Sequence, residues 1–270
     1  MLLFWPCAWS FGTQLYENEM DRTWCLFLFL FFIGSIIMRS AGCVYNDIID
    51  KEIDKKVSRT KNRPLAKNLI SIKMSWVIIL TLCLAALAIL FQFNFKAIMF
   101  GLSSGILIAL YPFMKRITFW PQLFLGIVFN WGVILGWLVF NENINLHIFL
   151  LYISAILWTL GYDTIYGLQD LEDDIKIGVK STAIKFQKNL KTFLLITYLL
   201  SFLFFISSML ILMFEFNFLL LFFVGPFLLL LFQVYQVTLK NSNKNLSLFK
   251  LNNYYGLSIF IIQIVVFHNA

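Results

Sequence analysis

Long apolar stretches separated by short polar ones run through the whole chain. A helix that crosses a bilayer needs about 20 apolar residues, and most of these stretches approach or reach that length. Because lipid offers the backbone no hydrogen-bond partner, the spanning stretches are predicted to be helices. The predicted segments are residues 1–16, 24–45, 74–93, 97–114, 120–140, 146–168, 190–214, 217–239 and 253–268. The pattern predicts an all-α integral membrane protein with nine transmembrane helices, of which the first is short.

The basic residues fall in alternate loops and predict the orientation. Most of the 21 Lys and Arg residues follow the second, fourth, sixth and eighth segments. Such loops face the cytoplasm, so the N-terminus is expected there and the C-terminus outside. Only 13% of residues are charged, against about 25% in soluble proteins. We therefore interpret the net charge of +7 as a topology signal and expect no nucleic-acid partner.

Two loops, 46–73 and 170–191, are longer than the others, and each begins with clustered acidic residues at the end of a predicted helix. This recurrence predicts a single transmembrane domain over residues 1–270 with two similar halves, about 1–118 and 119–270. The chain opens on an apolar run without a charged region before it, so no cleavable signal peptide is expected. The four cysteines include no CxxC pair and are interpreted as small buried hydrophobes.

The two acidic clusters carry the candidate chemistry. In NDIIDKEID, the spacing of Asn46, Asp50 and Asp54 places them on one face of a helix, and Asp170 and Asp174 repeat the four-residue spacing in DLEDD. Like charges at this spacing repel, and carboxylates near lipid are unfavourable, so a cation is expected between them. Magnesium binds carboxylates together with phosphates. The clusters therefore predict a magnesium-bridged diphosphate site, with a solvated charge run as the alternative.

Basic side chains near the clusters suit phosphate groups. Arg39 lies inside the second apolar segment, seven residues before Asn46, where an arginine is a functional candidate or the structural partner of a nearby carboxylate. Lys115 and Arg116 end the fourth segment, where a cation also complements the helix dipole. Arg63 precedes a helix-stopping proline.

Two further residues lie beside the second cluster. Asp163 is two helical turns before Asp170 on the same side, and Tyr166 is close to that face. Zinc is not expected, because the two histidines, His147 and His268, are predicted to lie on the opposite side of the membrane.

The motifs resemble those of the UbiA superfamily of intramembrane aromatic prenyltransferases. NDIIDKEIDKKVSRTKNRPL is similar to the family's NDxxDxxxD signature with its trailing R-T-x-x-R-P-L. YDTIYGLQDLEDDIKIGVKSTAI is similar to its DxxxD signature, and YPFMKRITFWPQLFLGIVFNWG resembles the branch that prenylates 4-hydroxybenzoate. The resemblance implies a nine-helix bundle around a central cavity, with the acidic motifs on its cytoplasmic side.

The resemblance also implies roles for individual residues. The expected ligands of magnesium and the diphosphate are Asn46, Asp50, Asp54, Asp170 and Asp174. Tyr111 and Lys115 match a Y-x-x-x-K element beside the diphosphate. The other expected substrate contacts are Arg39, Arg63, Arg116, Asp163 and Tyr166, the arginines with phosphates or the acceptor carboxylate. Asp50 and Asp170 are the expected catalytic residues, with Asp170 as a candidate acceptor of the phenolic proton.

The implied reaction moves a polyprenyl group from its diphosphate to the ring carbon ortho to the hydroxyl of 4-hydroxybenzoate, a membrane step of ubiquinone synthesis. The expected location is a bacterial inner membrane or, alternatively, the mitochondrial inner membrane. Haem, a naphthoate or a chlorophyll precursor is an alternative acceptor. A transporter is the alternative from another class, although transporter sites lie near the bilayer midplane and these acids lie at helix ends.

Overall fold

The computed structural model describes residues 1–16, 19–213 and 218–268, and these residues form helices and turns without a strand. The α-helices are α1 (Phe4–Gln14), α2 (Arg22–Ile49), α3 (Lys51–Asp54), α4 (Ile72–Leu90), α5 (Phe95–Leu110), α6 (Met114–Ile117), α7 (Pro121–Phe129), α8 (Trp131–Leu138), α9 (Leu146–Gly167), α10 (Leu171–Ile177), α11 (Thr182–Lys185), α12 (Leu190–Met213), α13 (Val224–Gln236) and α14 (Ser242–His268). Three short 3-10 helices span Tyr111–Phe113, Gln187–Asn189 and Phe218–Phe223.

Within the described ranges, seven helical segments are long and apolar enough to cross a bilayer. They are Arg22–Ile49, Ile72–Leu90, Phe95–Ile117, Pro121–Leu138, Leu146–Gly167, Gln187–Met213 and Phe218–Gln236. The all-helical membrane fold is therefore confirmed. The count of nine spans and the cytoplasmic N-terminus remain predictions, since α1 and α14 are helical but fall outside this group.

Polar residues fix where several of the long helices begin. The side chains of Asp21, Ser71 and Asn94 accept hydrogen bonds from the backbone N–H three residues later, at 2.6, 3.1 and 2.9 Å. Each caps one of the N–H groups that the first helical turn leaves unpaired. These caps set the starts of α2, α4 and α5.

The structure corrects three predicted helices. The backbone leaves the helical conformation at Asp50 (ψ 5°), so Asp54 lies on the separate helix α3 rather than on one continuous face with Asn46. Segment 120–140 is divided at Asn130, whose amide donates to Gly126 O and Thr159 Oγ1 at 2.7 and 2.9 Å. The last helix starts well before residue 253, because hydrogen bonds satisfy its buried polar residues.

Helix α9 lies at the centre and packs against α7, α12 and α14, while α1 packs against α8 and α14. Trp9 of α1 is buried, with its ring centroid 4.8 Å from that of Trp158, and donates its indole N–H to Gly256 O at 2.9 Å. Trp158 in turn donates to Asn252 Oδ1 at 2.8 Å. The short first apolar segment is therefore a core helix, and its 11 residues extend only about 16 Å.

Gly126 allows α7 to approach α9 closely, as small residues do between membrane helices. A Cβ added there would lie 2.9 Å from the backbone oxygen of Ile156, which cannot move aside. Gly126→Ala is therefore expected to lower the free energy of unfolding by about 1–3 kcal/mol. Thermal unfolding in detergent measures this loss. Gly225→Ala on α13 is the matched control, because an added Cβ there has no atom of a described residue within 4 Å; equal unfolding midpoints for the two variants would contradict the prediction.

Candidate active site

Two adjoining cavities of opposite character lie between the helices. The polar cavity has a volume of about 130 Å³ and the apolar cavity about 370 Å³. Both are lined by Asn46, Tyr111 and Pro112, so they meet at the end of α2 and the 3-10 turn after α5. A ligand with a charged head and an apolar tail fits this combination.

The apolar cavity follows the length of α2. Its lining extends along that helix from Asn46 to Leu30. Sixteen residues of α-helix rise about 24 Å, most of the roughly 30 Å hydrocarbon core of a bilayer. Residues of α1, α4, α5, α7 and α8 also line the cavity. The cavity can therefore hold an extended hydrocarbon chain.

Opposite charges face each other in the polar cavity. Lys115 Nζ lies 2.5 Å from Asp50 Oδ2, and Arg116 Nη2 lies 3.6 Å from Asp50 Oδ1. Burial raises the pKa of Asp50 despite the opposing effect of Lys115. Burial, followed by the nearby charge of Asp170, raises the pKa of Asp174 to about 6. Both carboxylates would be better stabilised as anions by additional positive charge.

The residues of this cavity fit a magnesium ion. Asn46, Asp50 and Asp174 line the cavity and carry side-chain oxygen atoms, and the buried Oδ1 of Asp50 accepts no hydrogen bond from a described residue. Among the described residues, no group of three or more His, Cys, Asp or Glu side chains is arranged to hold a metal by itself. Magnesium needs no such group, since it usually binds one or two carboxylates together with phosphates and water.

Six of the residues predicted from sequence line the polar cavity: Asn46, Asp50, Tyr111, Lys115, Asp163 and Asp174. Arg39 lines the apolar cavity, with its guanidinium carbon 5.1 Å from the ring centroid of Phe129. The remaining five predicted residues are outside both cavity linings: Asp54, Arg63, Arg116, Tyr166 and Asp170. The structure thus brings together about half of the predicted set.

Outside the cavity, arginines from the loop after α3 form ion pairs with the carboxylates of the acidic clusters. Arg63 Nη1 donates to Asp47 Oδ1 and Asp54 Oδ2 at 2.8 and 2.9 Å. Arg59 Nε donates to Asp170 Oδ1 at 2.8 Å. Arg59 was not predicted as a site residue, although it is the first arginine of the R-T-x-x-R pattern.

A second group of unpredicted residues forms the wall contributed by the loop after α10. Gly178 has φ 82°, a conformation that favours glycine, and reverses the chain there. The Lys180 N–H then donates to Lys115 O at 2.9 Å, and the Thr182 N–H donates to Gln122 Oε1 at 3.0 Å. These bonds place Lys180, Ser181 and Gln122 on the polar cavity. All three lie inside motifs already singled out for the resemblance.

Comparison with known proteins agrees with this arrangement. Residues 3–254 match the UbiA prenyltransferase family. The chain is 48% identical over 196 residues to 4-hydroxybenzoate polyprenyltransferase, mitochondrial, of Drosophila melanogaster, covering 72% of this chain and 49% of that protein. It is 46% identical over 194 residues to the Homo sapiens protein of the same name, covering 72% and 52%. The chain thus spans about half the length of these curated relatives.

Solved structures show the same fold. A UbiA homolog from Aeropyrum pernix K1 superposes with a TM-score of 0.80 at 22% identity, over 97% of both chains. A UbiA homolog from Archaeoglobus fulgidus bound to GPP and Mg2+ superposes with a TM-score of 0.66 at 13% identity, over 99% of this chain and 96% of that one. The family match over residues 3–254 shows that this protein belongs to the UbiA prenyltransferase family, and the superpositions agree with that family's fold.

Proposed function

We propose that this protein transfers a polyprenyl group from polyprenyl diphosphate to the ring carbon ortho to the hydroxyl of 4-hydroxybenzoate, with Mg2+ as cofactor. The observation that carries the proposal is the junction of the polar and apolar cavities at Asn46 and Tyr111. It would place the diphosphate among charged groups and the tail among apolar ones. The names of the curated relatives support the acceptor, and the Archaeoglobus structure with GPP and Mg2+ supports the donor and the metal.

The residues of the polar cavity would have two roles, binding magnesium and binding the diphosphate. Asn46, Asp50 and Asp174 would hold the magnesium, and the ammonium group of Lys115 would lie against the diphosphate. Bound magnesium neutralises charge on the phosphate oxygens and so makes the diphosphate a better leaving group. Lys115 stabilises the same charge as it builds up, because a fixed cation in a water-poor site needs no reorganisation during the reaction.

In the transfer itself, the bond between C1 of the prenyl chain and the diphosphate oxygen breaks, and the electron pair leaves with the diphosphate. The ring carbon ortho to the hydroxyl attacks C1, and the proton on that carbon then passes to the ring oxygen that gave up the phenolic proton, which restores aromaticity. Asp163 lies on the polar cavity wall and can accept the phenolic proton. Asp170, expected from sequence in that role, can do so only after leaving Arg59. The apolar cavity keeps water from the developing cation.

The proposed location is the mitochondrial inner membrane, where the reaction would serve ubiquinone synthesis. The helices show a membrane protein, and the relatives carry the word mitochondrial in their names. The substrates and the bilayer are the proposed partners. The bacterial inner membrane expected first from sequence has no support among these relatives.

The test is formation of prenylated 4-hydroxybenzoate by membranes that contain this chain, with labelled acceptor and geranyl or longer diphosphates. Product is expected with magnesium and is expected to fall to background with EDTA, then return when magnesium is added. A naphthoate offered in place of 4-hydroxybenzoate is expected to give none. Product from the naphthoate alone would overturn the acceptor, and absence of product from every acceptor would overturn the enzymatic function.

A further inference from the structure

The carboxylate of Asp170 is held on both oxygens by one guanidinium. Arg59 Nε donates to Asp170 Oδ1 at 2.8 Å, and Arg59 Nη2 donates to Oδ2 at 2.5 Å. The third nitrogen, Nη1, donates to the Tyr166 hydroxyl at 3.0 Å, and the guanidinium carbon lies 5.3 Å from the centroid of that ring. Arg59 is therefore fixed by two neighbouring side chains, and its two shorter bonds to Asp170 form the strong bidentate pair, with a third, longer bond from Nε to Oδ2 at 3.1 Å.

Adjacent contacts attach the whole segment that carries Arg59. The Ser58 N–H donates to Asp173 Oδ2 at 2.8 Å, so two consecutive residues dock on the start of α10. Four residues after Arg59, Arg63 binds Asp47 and Asp54 of the first cluster. Segment 58–63 thus connects the acidic cluster of one half to that of the other.

While Arg59 holds it, Asp170 does not line the polar cavity. Asp174, one helical turn later, lines the cavity, whereas Asp170 is outside its lining. A carboxylate has about four lone-pair sites, and Arg59 makes three contacts with those of Asp170. A divalent cation on the same oxygens would lie within a few ångströms of the guanidinium and would be repelled by it. Arg59 and a metal therefore compete for Asp170.

We propose that Arg59 is a positioning residue that acts through Asp170: it withholds this carboxylate from the metal until an anion in the polar cavity draws the guanidinium away. The inference rests on the proposed function, because a diphosphate is the anion that would do so. A guanidinium binds phosphate in the same bidentate manner as carboxylate, so the exchange replaces one strong pair by another. Metal and diphosphate would consequently bind with positive coupling, each raising the affinity of the other.

Metal binding measured separately from catalysis tests the proposal. The full chain in detergent is titrated with Mn2+, whose free concentration is followed by its EPR signal, with and without geranyl S-thiolodiphosphate. In the unsubstituted protein, the analogue is expected to tighten Mn2+ binding at least tenfold. Arg59→Gln is expected to bind Mn2+ alone at least fivefold more tightly and to gain less from the analogue. Equal or weaker binding of Mn2+ alone by Arg59→Gln would overturn the proposal.

Two variants separate this effect from loss of charge and from loss of fold. Lys56→Gln removes one positive charge from an exposed position three residues away and is expected to leave Mn2+ binding within twofold. If Lys56→Gln bound Mn2+ as tightly as Arg59→Gln does, the effect would come from the loss of one positive charge in general, and the proposal would be overturned. Tyr166→Phe removes only the hydroxyl that holds Nη1, so about twofold tighter binding is expected even if Arg59→Gln does not fold.

The proposed function and this inference fail in different ways. If the unsubstituted chain forms no prenylated product while the Mn2+ titrations behave as expected, the function is overturned and the exchange at Asp170 stands. If product forms but Arg59→Gln binds Mn2+ no more tightly, the exchange is overturned and the function stands.

Discussion

Asp50→Asn is expected to lower kcat/KM for prenyl transfer by about 10³-fold, the upper part of the range for removing one group that stabilises transition-state charge. Asp50 lines the polar cavity one helical turn after Asn46, where the two cavities meet. Its carboxylate lies at the end of α2 and contacts Lys115, and its buried Oδ1 receives no hydrogen bond within the described part of the chain. The substitution would remove a ligand for magnesium and leave the ammonium of Lys115 without its carboxylate.

The measurement is initial rates of product formation at several magnesium concentrations, with the amount of folded protein matched. Glu52→Gln is the control, because this acid lies two residues away with a side chain 76% exposed and pairs only with the neighbouring Lys55 among the described residues. Glu52→Gln should retain activity within about twofold, as surface substitutions do. If Asp50→Asn kept a tenth or more of the activity, Asp50 would not be a metal ligand in the reaction.

Gly34→Phe is expected to shorten the longest prenyl diphosphate that the protein uses efficiently. Gly34 lines the apolar cavity 12 residues before Asn46, or about 18 Å along α2. Among the described residues, the atom nearest to a Cβ added there is Ile89 Cγ2 at 3.9 Å, so the added side chain begins without a backbone clash at the cavity wall. Excluding three or four CH2 groups, at about 0.8 kcal/mol each, corresponds to about a 10²-fold loss for long diphosphates.

Parallel assays with geranyl diphosphate and with diphosphates of increasing length measure this effect. The short substrate is expected to react at nearly the unsubstituted rate, since it does not reach the added ring. Gly225→Phe on α13 adds the same side chain away from both cavities and should not change the dependence on length. If Gly34→Phe lowered the rate equally for diphosphates of every length, the added ring would be disturbing the fold and not blocking the prenyl tail.

Much of the fold follows from hydropathy, because spanning segments must be both apolar and helical. A hydropathy pattern does not reveal where a single polar side chain interrupts a helix. The division at Asn130 depends on a hydrogen bond to Thr159 of another helix, which no local pattern contains. Hydropathy also gives no sign of the hydrogen-bond partners that allow a polar stretch to be helical, such as Gln233 for the buried Asn252 in the first half of α14.

The candidate site was predictable in part for a similar reason. Residue spacing predicted a shared site for Asn46, Asp50 and Asp174, since four-residue steps share a face within each cluster, and all three line the polar cavity. Spacing cannot distinguish a carboxylate that faces the cavity from one already held by an arginine 111 residues earlier, as Asp170 is. That distinction depends on how the loop after α3 packs on α10, which is a tertiary property.

The thin wall of the apolar cavity has a kinetic consequence. In the apolar 18-residue stretches of Arg22–Ile49, Ile72–Leu90 and Phe95–Ile117, only 11%, 6% and 11% of the residues are buried within the protein. These helices separate the cavity from the surrounding lipid by a single layer. A prenyl donor that partitions into the bilayer would therefore be supplied sideways, in two dimensions. Its rate of use would follow its mole fraction among the lipids, so adding inert lipid at constant total substrate would slow the reaction by surface dilution.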